Sequence, residues 1–181
     1  MNQIQDLRIE HVMTPAPACI DEGCTLAGAL CLLLRQGYQS APVTGRGGEV
    51  VGLLTRAGLL TWLGRRVNDA DDVTLRQLLQ TPVTPAVEQP LRIEASAPLR
   101  ELSRRLVADE AAAALVVRDG RVVGIVTLLD VARAVAHGDV PSTPRPAHGH
   151  GHCFTADGLP ESPTDEAAER ELMTLLLAQR T

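Results

Sequence analysis

Leu26, Ala29, Leu30, Leu33 and Leu34 recur at three- and four-residue spacings, which lines them along one face of a helix. Leu99, Leu102, Leu106 and Val107 repeat the pattern further on. Each of these helices is followed by a short apolar run, residues 40–44 and 114–118, which reads as a strand. A turn comes next. It is Gly45-Arg46-Gly47-Gly48 in the first case and Asp119-Gly120 in the second, and Asp-Gly is a strong hairpin signal. The runs that follow, 49–54 and 121–126, are apolar on both faces, so both are predicted to be internal strands. Residues 57–65 and 129–136 then complete each half as a helix.

The two halves are copies of one unit. Ile20 corresponds to Ile93, Leu26 to Leu99, and Ala41-Pro42-Val43 to Ala114-Leu115-Val116. After one loop residue fewer in the second copy, Val50-Val51-Gly52 matches Val122-Val123-Gly124, and Thr55 matches Thr127. Each copy opens near a Thr-Pro pair: Thr14-Pro15 in the first, Thr84-Pro85 or Thr81-Pro82 in the second. The predicted fold is α/β, with two related β-α-β-β-α units over residues 6–66 and 73–138. Residues 139–163, rich in Pro, Gly and His, read as a flexible linker. Residues 164–180 read as an amphipathic helix with Thr164 as N-cap and Asp165 and Glu166 in its first turn.

Composition narrows the possibilities. Hydrophobic residues make up 45% of the chain and aromatics only 2%, so the core must be aliphatic. All 17 basic residues are arginine and the net charge is -5, with no basic run, which argues against binding nucleic acid by bulk charge. The absence of lysine closes Schiff-base chemistry. There is no Gly-x-Ser-x-Gly, His-Glu-x-x-His or Gly-x-x-x-x-Gly-Lys motif, so a non-catalytic protein is expected. Cys19, Cys24, Cys31 and Cys153 form no Cys-x-x-Cys pair; the first three are expected on the first strand and helix, with Cys24 and Cys31 on one helix face as buried thiols. The first residues are not apolar, and no apolar run approaches the roughly 20 residues a bilayer span needs. A cytoplasmic protein with no membrane contact is the expectation.

The tandem order, with each copy opening near Met-Thr-Pro or Thr-Pro and the second closing on Gly124-Ile125-Val126-Thr127-Leu128-Leu129-Asp130, resembles a pair of CBS (cystathionine β-synthase-type) domains, a Bateman module. The resemblance covers roughly residues 6–138. It implies two clefts that take adenosyl ligands: AMP, ADP, ATP or S-adenosylmethionine. Carried over residue by residue, Asp130 would accept the ribose hydroxyls and Thr127 would stand on the phosphate side. Thr14, Ala16, Ala18, Tyr38, Gln39 and Ser40 would form the base pocket, and Arg133 would reach a phosphate. The physical chemistry is consistent with this, since a carboxylate accepts two hydroxyls and a helix N-terminus favours an anion. The twin site departs from the pattern. Thr55 is retained but Gly58 replaces the carboxylate, with Arg56, Thr84, Ala86, Ala112 and Ala113 around it. One cleft is therefore expected to sense ligand, and the other to be weak or differently occupied. The resemblance also implies a homodimer acting on an effector protein.

Other readings of the same residues stay open. Thr127 and Asp130 also suit a helix cap, and the pair could be a ligand-free dimerisation module. His148, His150, His152 and Cys153 are a possible Zn or Ni site, since imidazole and thiolate suit such ions and the glycines between them let the rings converge.

Overall fold

The computed structural model describes residues 7–69, 75–137 and 153–154. The chain divides into two compact units that do not follow the repeat boundaries. The first eighteen residues group with Gln89–His152 in unit 1, while Cys19–Glu88 and Cys153–Thr181 form unit 2.

Unit 1 contains α1 (Ile9–Val12), β1 (Thr14–Pro15), β5 (Leu91–Glu94), α5 (Leu99–Ala108), β6 (Ala113–Arg118), β7 (Arg121–Thr127) and α6 (Leu128–His137). Its sheet runs β1-β7-β6-β5. β5 and β6 are parallel, β6 and β7 form a hairpin, and β1 adds antiparallel to β7 with Thr14 opposite Ile125. Asp119 (φ 51°) and Gly120 (φ 74°) both take the left-handed conformation that a two-residue hairpin turn requires. The N-terminal segment is tied down by main-chain bonds. The Ile9 and Glu10 N–H groups donate to the Ala97 and Ala95 carbonyls at 3.0 and 2.9 Å, and the Leu99 N–H donates to Leu7 at 2.8 Å.

Unit 2 contains β2 (Cys19–Asp21), α2 (Leu26–Arg35), β3 (Ser40–Thr44), β4 (Val50–Thr55), α3 (Arg56–Asp69), α4 (Leu75–Leu79) and β8 (Cys153–Phe154). Its sheet runs β4-β3-β2-β8, with β2 parallel to both β3 and β8. Thr25 caps α2 by accepting the Gly28 N–H at 3.2 Å. Both hairpins shift register at one corresponding place, Val43/Thr44 and Val116/Val117, so even the irregularity repeats.

Each unit packs its helices on one face of its sheet. In unit 2 the core is Ile20, Leu26, Leu30, Leu33, Val43, Leu54, Leu59 and their neighbours; in unit 1 it is Ile93, Leu102, Leu106, Ala114, Val116, Val126 and theirs. The largest fully buried side chains are all Leu, Ile or Val, as the composition requires.

Four expectations change. β7 is internal, but β4 is not equally so: among the described residues its strand pairing beyond β3 is the isolated bridge between Leu53 and Glu88. Pro85 lies in a 3-10 turn, Thr84–Ala86, and Pro90 follows, so little backbone is left there to extend a ladder. Cys24 sits before the N-cap Thr25 and not on the helix with Cys31. It is buried, and burial, reinforced by Asp21, pushes its thiol up to about 11. Cys31 is only half-buried. Finally, β8 falls inside the stretch expected to be linker. His148, His150, His152 and the expected helix at 164–180 lie outside the described residues.

Candidate functional site

β7 ends at Thr127, and α6 begins at the next residue. At this junction the Asp130 Oδ2 accepts both the Thr127 N–H at 2.8 Å and the Thr127 hydroxyl at 2.7 Å. The Asp130 N–H donates back to Thr127 Oγ1 at 3.3 Å. This is a reciprocal cap of the helix start, with the carboxylate in the first turn where the dipole favours it. One oxygen carries the whole cap, so Oδ1 has no hydrogen-bond partner among the described residues. Thr127 and Asp130 are both half-buried.

Thr14 stands beside this junction on β1, opposite Ile125, two residues before Thr127. Side chains alternate along a strand, so Thr14 and Thr127 share the sheet face turned away from the helical core. Ala113, on β6, is the register partner of Thr127. The close approach of β1 requires Gly124, because a Cβ there would lie 2.7 Å from Met13 Sδ and 2.9 Å from the Thr14 carbonyl.

In unit 2 the same junction is built differently. Thr55 is buried and its hydroxyl accepts the Gly58 N–H at 2.9 Å, a cap with no returning carboxylate. The strand opposite β4 is set by Val87 and Glu88. Leu53 and Glu88 exchange both main-chain bonds, at 2.9 and 3.0 Å, and a Cβ on Gly52 would overlap Val87. Glu88 therefore holds the place of Thr14, and Val87 that of Met13. The Thr-Pro alignment expected Thr84 there instead. Thr84 lies in the 3-10 turn and donates to the Glu22 carbonyl at 3.3 Å, while Ala86 is buried in the core.

The model of the CBS domain matches residues 9–65 and again 83–137. The chain belongs to the CBS-domain family. Solved structures share the fold at TM-scores near 0.6. The CBS domain of a bacterial CNNM/CorC family Mg2+ transporter in complex with ATP is 22% identical, covers 74% of this chain and 90% of its own, and has a TM-score of 0.61. A CBS-domain pair solved with 5'-methylthioadenosine and S-adenosyl-L-methionine is 16% identical, covers 74% and 98%, and scores 0.61. A CBS-domain containing protein from Agrobacterium tumefaciens is 18% identical, covers 74% and 96%, and scores 0.63. Among curated proteins, the A-adding tRNA nucleotidyltransferase of Aquifex aeolicus (strain VF5) is 28% identical over 131 residues. That match covers 71% of this chain but only 14% of the relative.

Within the CBS pair, the remaining candidate residues divide between the units. Ala16 and Ala18 lie in unit 1 with Thr14. Ala16 is exposed, with a left-handed φ of 43°, and donates its N–H to the Val123 carbonyl at 3.1 Å; Ala18 is buried. Arg133 is exposed on α6, one turn beyond Asp130. Tyr38, Gln39 and Ser40 belong to unit 2, where Ser40 is the register partner of Thr55 and has a buried hydroxyl with no hydrogen-bond partner. Burial raises the Tyr38 phenol above its ordinary range. Arg56 opens α3 and donates its N–H to the Gln39 carbonyl at 3.0 Å, as Leu128 does to Ala112 in unit 1.

Among the described residues no group of three His, Cys, Asp or Glu is placed to hold a metal ion. Cys153 contributes its backbone to β8 beside Cys19. No described helix is long and apolar enough to cross a membrane.

The residue that the sequence reading missed is Glu88. Its signal was Gly52: two copies sharing a glycine at one strand position share a close backbone approach, and the residue after the approaching apolar one is then the site neighbour.

Proposed function

We propose that the chain is a non-catalytic regulatory CBS pair that binds an adenosyl ligand, AMP, ADP, ATP or S-adenosylmethionine, at the Thr127–Asp130 junction. The observation that carries this reading is the one-sided cap. Asp130 spends Oδ2 on Thr127 and keeps Oδ1 for a hydroxyl, beside a helix start whose Leu129 N–H has no partner among the described residues. A ribose donates hydroxyls to such a carboxylate, and a phosphate suits such a helix start. Thr14 on the neighbouring strand and Ala16 just beyond it then face the ligand. The neighbours solved with ATP and with adenosyl compounds support the ligand class. The pair acts as a homodimer on an effector protein, its ligand biasing which state the partner meets.

The test is a thermal-shift titration of the full chain with AMP, ADP, ATP and S-adenosylmethionine. A ligand that binds only the folded state adds about 2.7 kcal/mol at a hundredfold excess over Kd. Asp130→Ala removes the cap as well as the ligand contact, so the readout is the ligand-induced shift, not the starting Tm. Asp130→Asn keeps an acceptor for Thr127 and isolates the charge. A shift in the wild type that both variants abolish supports the site; an undiminished shift in both rejects it.

A further inference from the structure

Unit 2 replaces two residues of the unit 1 junction together. The helix position of Asp130 becomes Gly58, and the strand position of Thr14 becomes Glu88. A Cβ on residue 58 would overlap the Glu88 carboxylate, coming within 2.8 Å of its Cδ, and would stand 2.9 Å from Thr55 Oγ1. The Glu88 carboxylate thus occupies the space over the first turn of α3 that a side chain at position 58 would need.

The two carboxylates are held differently. Asp130 is held in place by two short donors from Thr127, both to Oδ2. The Glu88 carboxylate accepts no hydrogen bond among the described residues, and the Gly58 N–H that could have served it is already given to Thr55. Its charge therefore stays available to whatever approaches the start of α3. The Ala57 N–H, like that of Leu129 in unit 1, has no partner among the described residues and would otherwise draw an anion.

We propose that Glu88 closes the Thr55 site to phosphorylated ligands. A phosphate placed there meets a carboxylate bound by no donor among the described residues, whereas at the Thr127 junction the strand position is the neutral Thr14 and the Asp130 carboxylate is tied into the cap. This rests on the adenosyl-ligand reading of the Thr127 junction and deepens it: the pair has one site open to nucleotides and a second that its own carboxylate keeps anion-free.

The experiment is calorimetric titration of the full chain with ATP, comparing the wild type, Glu88→Gln, and Glu88→Thr/Gly58→Asp, which transplants the unit 1 residues. The transplant should bind one more ATP per chain than the wild type. Glu88→Gln, which removes charge with little change of shape, should gain at least tenfold in affinity at the added site. Equal stoichiometry and affinity in all three proteins would overturn the proposal, as would a wild type that already fills the Thr55 site. Each variant repeated in an Asp130→Ala background separates the two ideas. If Asp130→Ala removes no binding, the Thr127 reading fails, while binding gained by Glu88→Gln in that background still reports on Glu88 alone.

Discussion

The starts of α6 and α3 are the same structural joint solved twice. At α6 a strand threonine and a helix aspartate bond each other in both directions, and a neutral threonine stands on the adjoining strand. At α3 the threonine caps alone, the helix position is glycine, and the carboxylate arrives from the adjoining strand. Both joints keep one acidic group, but in the first it is bound into the cap and in the second it is not. The two copies hold their scaffold constant and differ in which residue supplies the charge, so counting motif residues in each copy misses a carboxylate that moves from the helix to the facing segment.

The scaffold side of this comparison can be broken most severely in the cores. Leu33 and Leu106 occupy corresponding positions and are both buried. Leu33→Ala and Leu106→Ala should each cost about 3 kcal/mol by urea denaturation. A large inequality would mean that the two cores do not share the load the repeat implies.

The next effect is at Cys24. Its native thiol holds its proton to about pH 11, while an unfolded chain releases it near 9.0. Above pH 9 the unfolded state binds fewer protons, so the stability from this group is complete below pH 9. It declines by about 2 kcal/mol as the pH rises to 11. Cys24→Ala should flatten that decline in pH-dependent thermal melts, and mass spectrometry after iodoacetamide at pH 8 should find Cys24 modified more slowly than Cys31.

The caps come next. Asp130→Ala should lower the stability of the ligand-free protein by about 1 kcal/mol, through loss of the returning carboxylate. Glu88→Ala, which removes an exposed side chain that takes part in no cap, should change it by less than about 0.5 kcal/mol. Equal losses would show that Glu88 carries a structural role like that of Asp130.

The smallest effect is at the ends of the first helices. Gly37 follows α2 with φ 67°, and Glu110 follows α5 with φ 49°. The residue after each, Tyr38 and Ala111, donates its N–H to Leu33 and Leu106 at 2.9 Å. The first copy uses the residue suited to that conformation and the second does not. Glu110→Gly should therefore raise Tm, by an amount equivalent to about 0.5–1 kcal/mol.

Much of this was legible in the chain. The spacing of Leu26, Ala29, Leu30 and Leu33 and the Asp119-Gly120 turn are local features, and local features locate helices and hairpins. The Thr127–Asp130 pair was visible as both a cap and a possible ligand site, and its hydrogen bonds make it a cap. What could not be read was pairing that depends on how closely two backbones approach. β1 is two residues long and carries no periodicity. Its register is set by the absence of a side chain at Gly124, as that of Glu88 is by Gly52. Thr84 looked like the twin of Thr14 because both precede proline, yet Pro85 places Thr84 in a turn, and the twin position falls on Glu88. Spacing alone puts Cys24 on one face with Cys31, but with Thr25 as the cap the helix begins at Leu26, two residues too late for that.

The exchange of the first eighteen residues into unit 1 has a consequence for how the protein is made. On the ribosome that segment emerges before residues 19–88, while β7, the strand it must join, emerges after them. Residues 19–88 carry β2, β3, β4 and Glu88 and can pair these while synthesis continues, but Met13 and Thr14 must wait for Gly124. A cut or stall before that point leaves the Thr127 junction unmade and Thr14 and Pro15 without their strand partner, so this joint can form only after the chain of its Thr55 twin has been made.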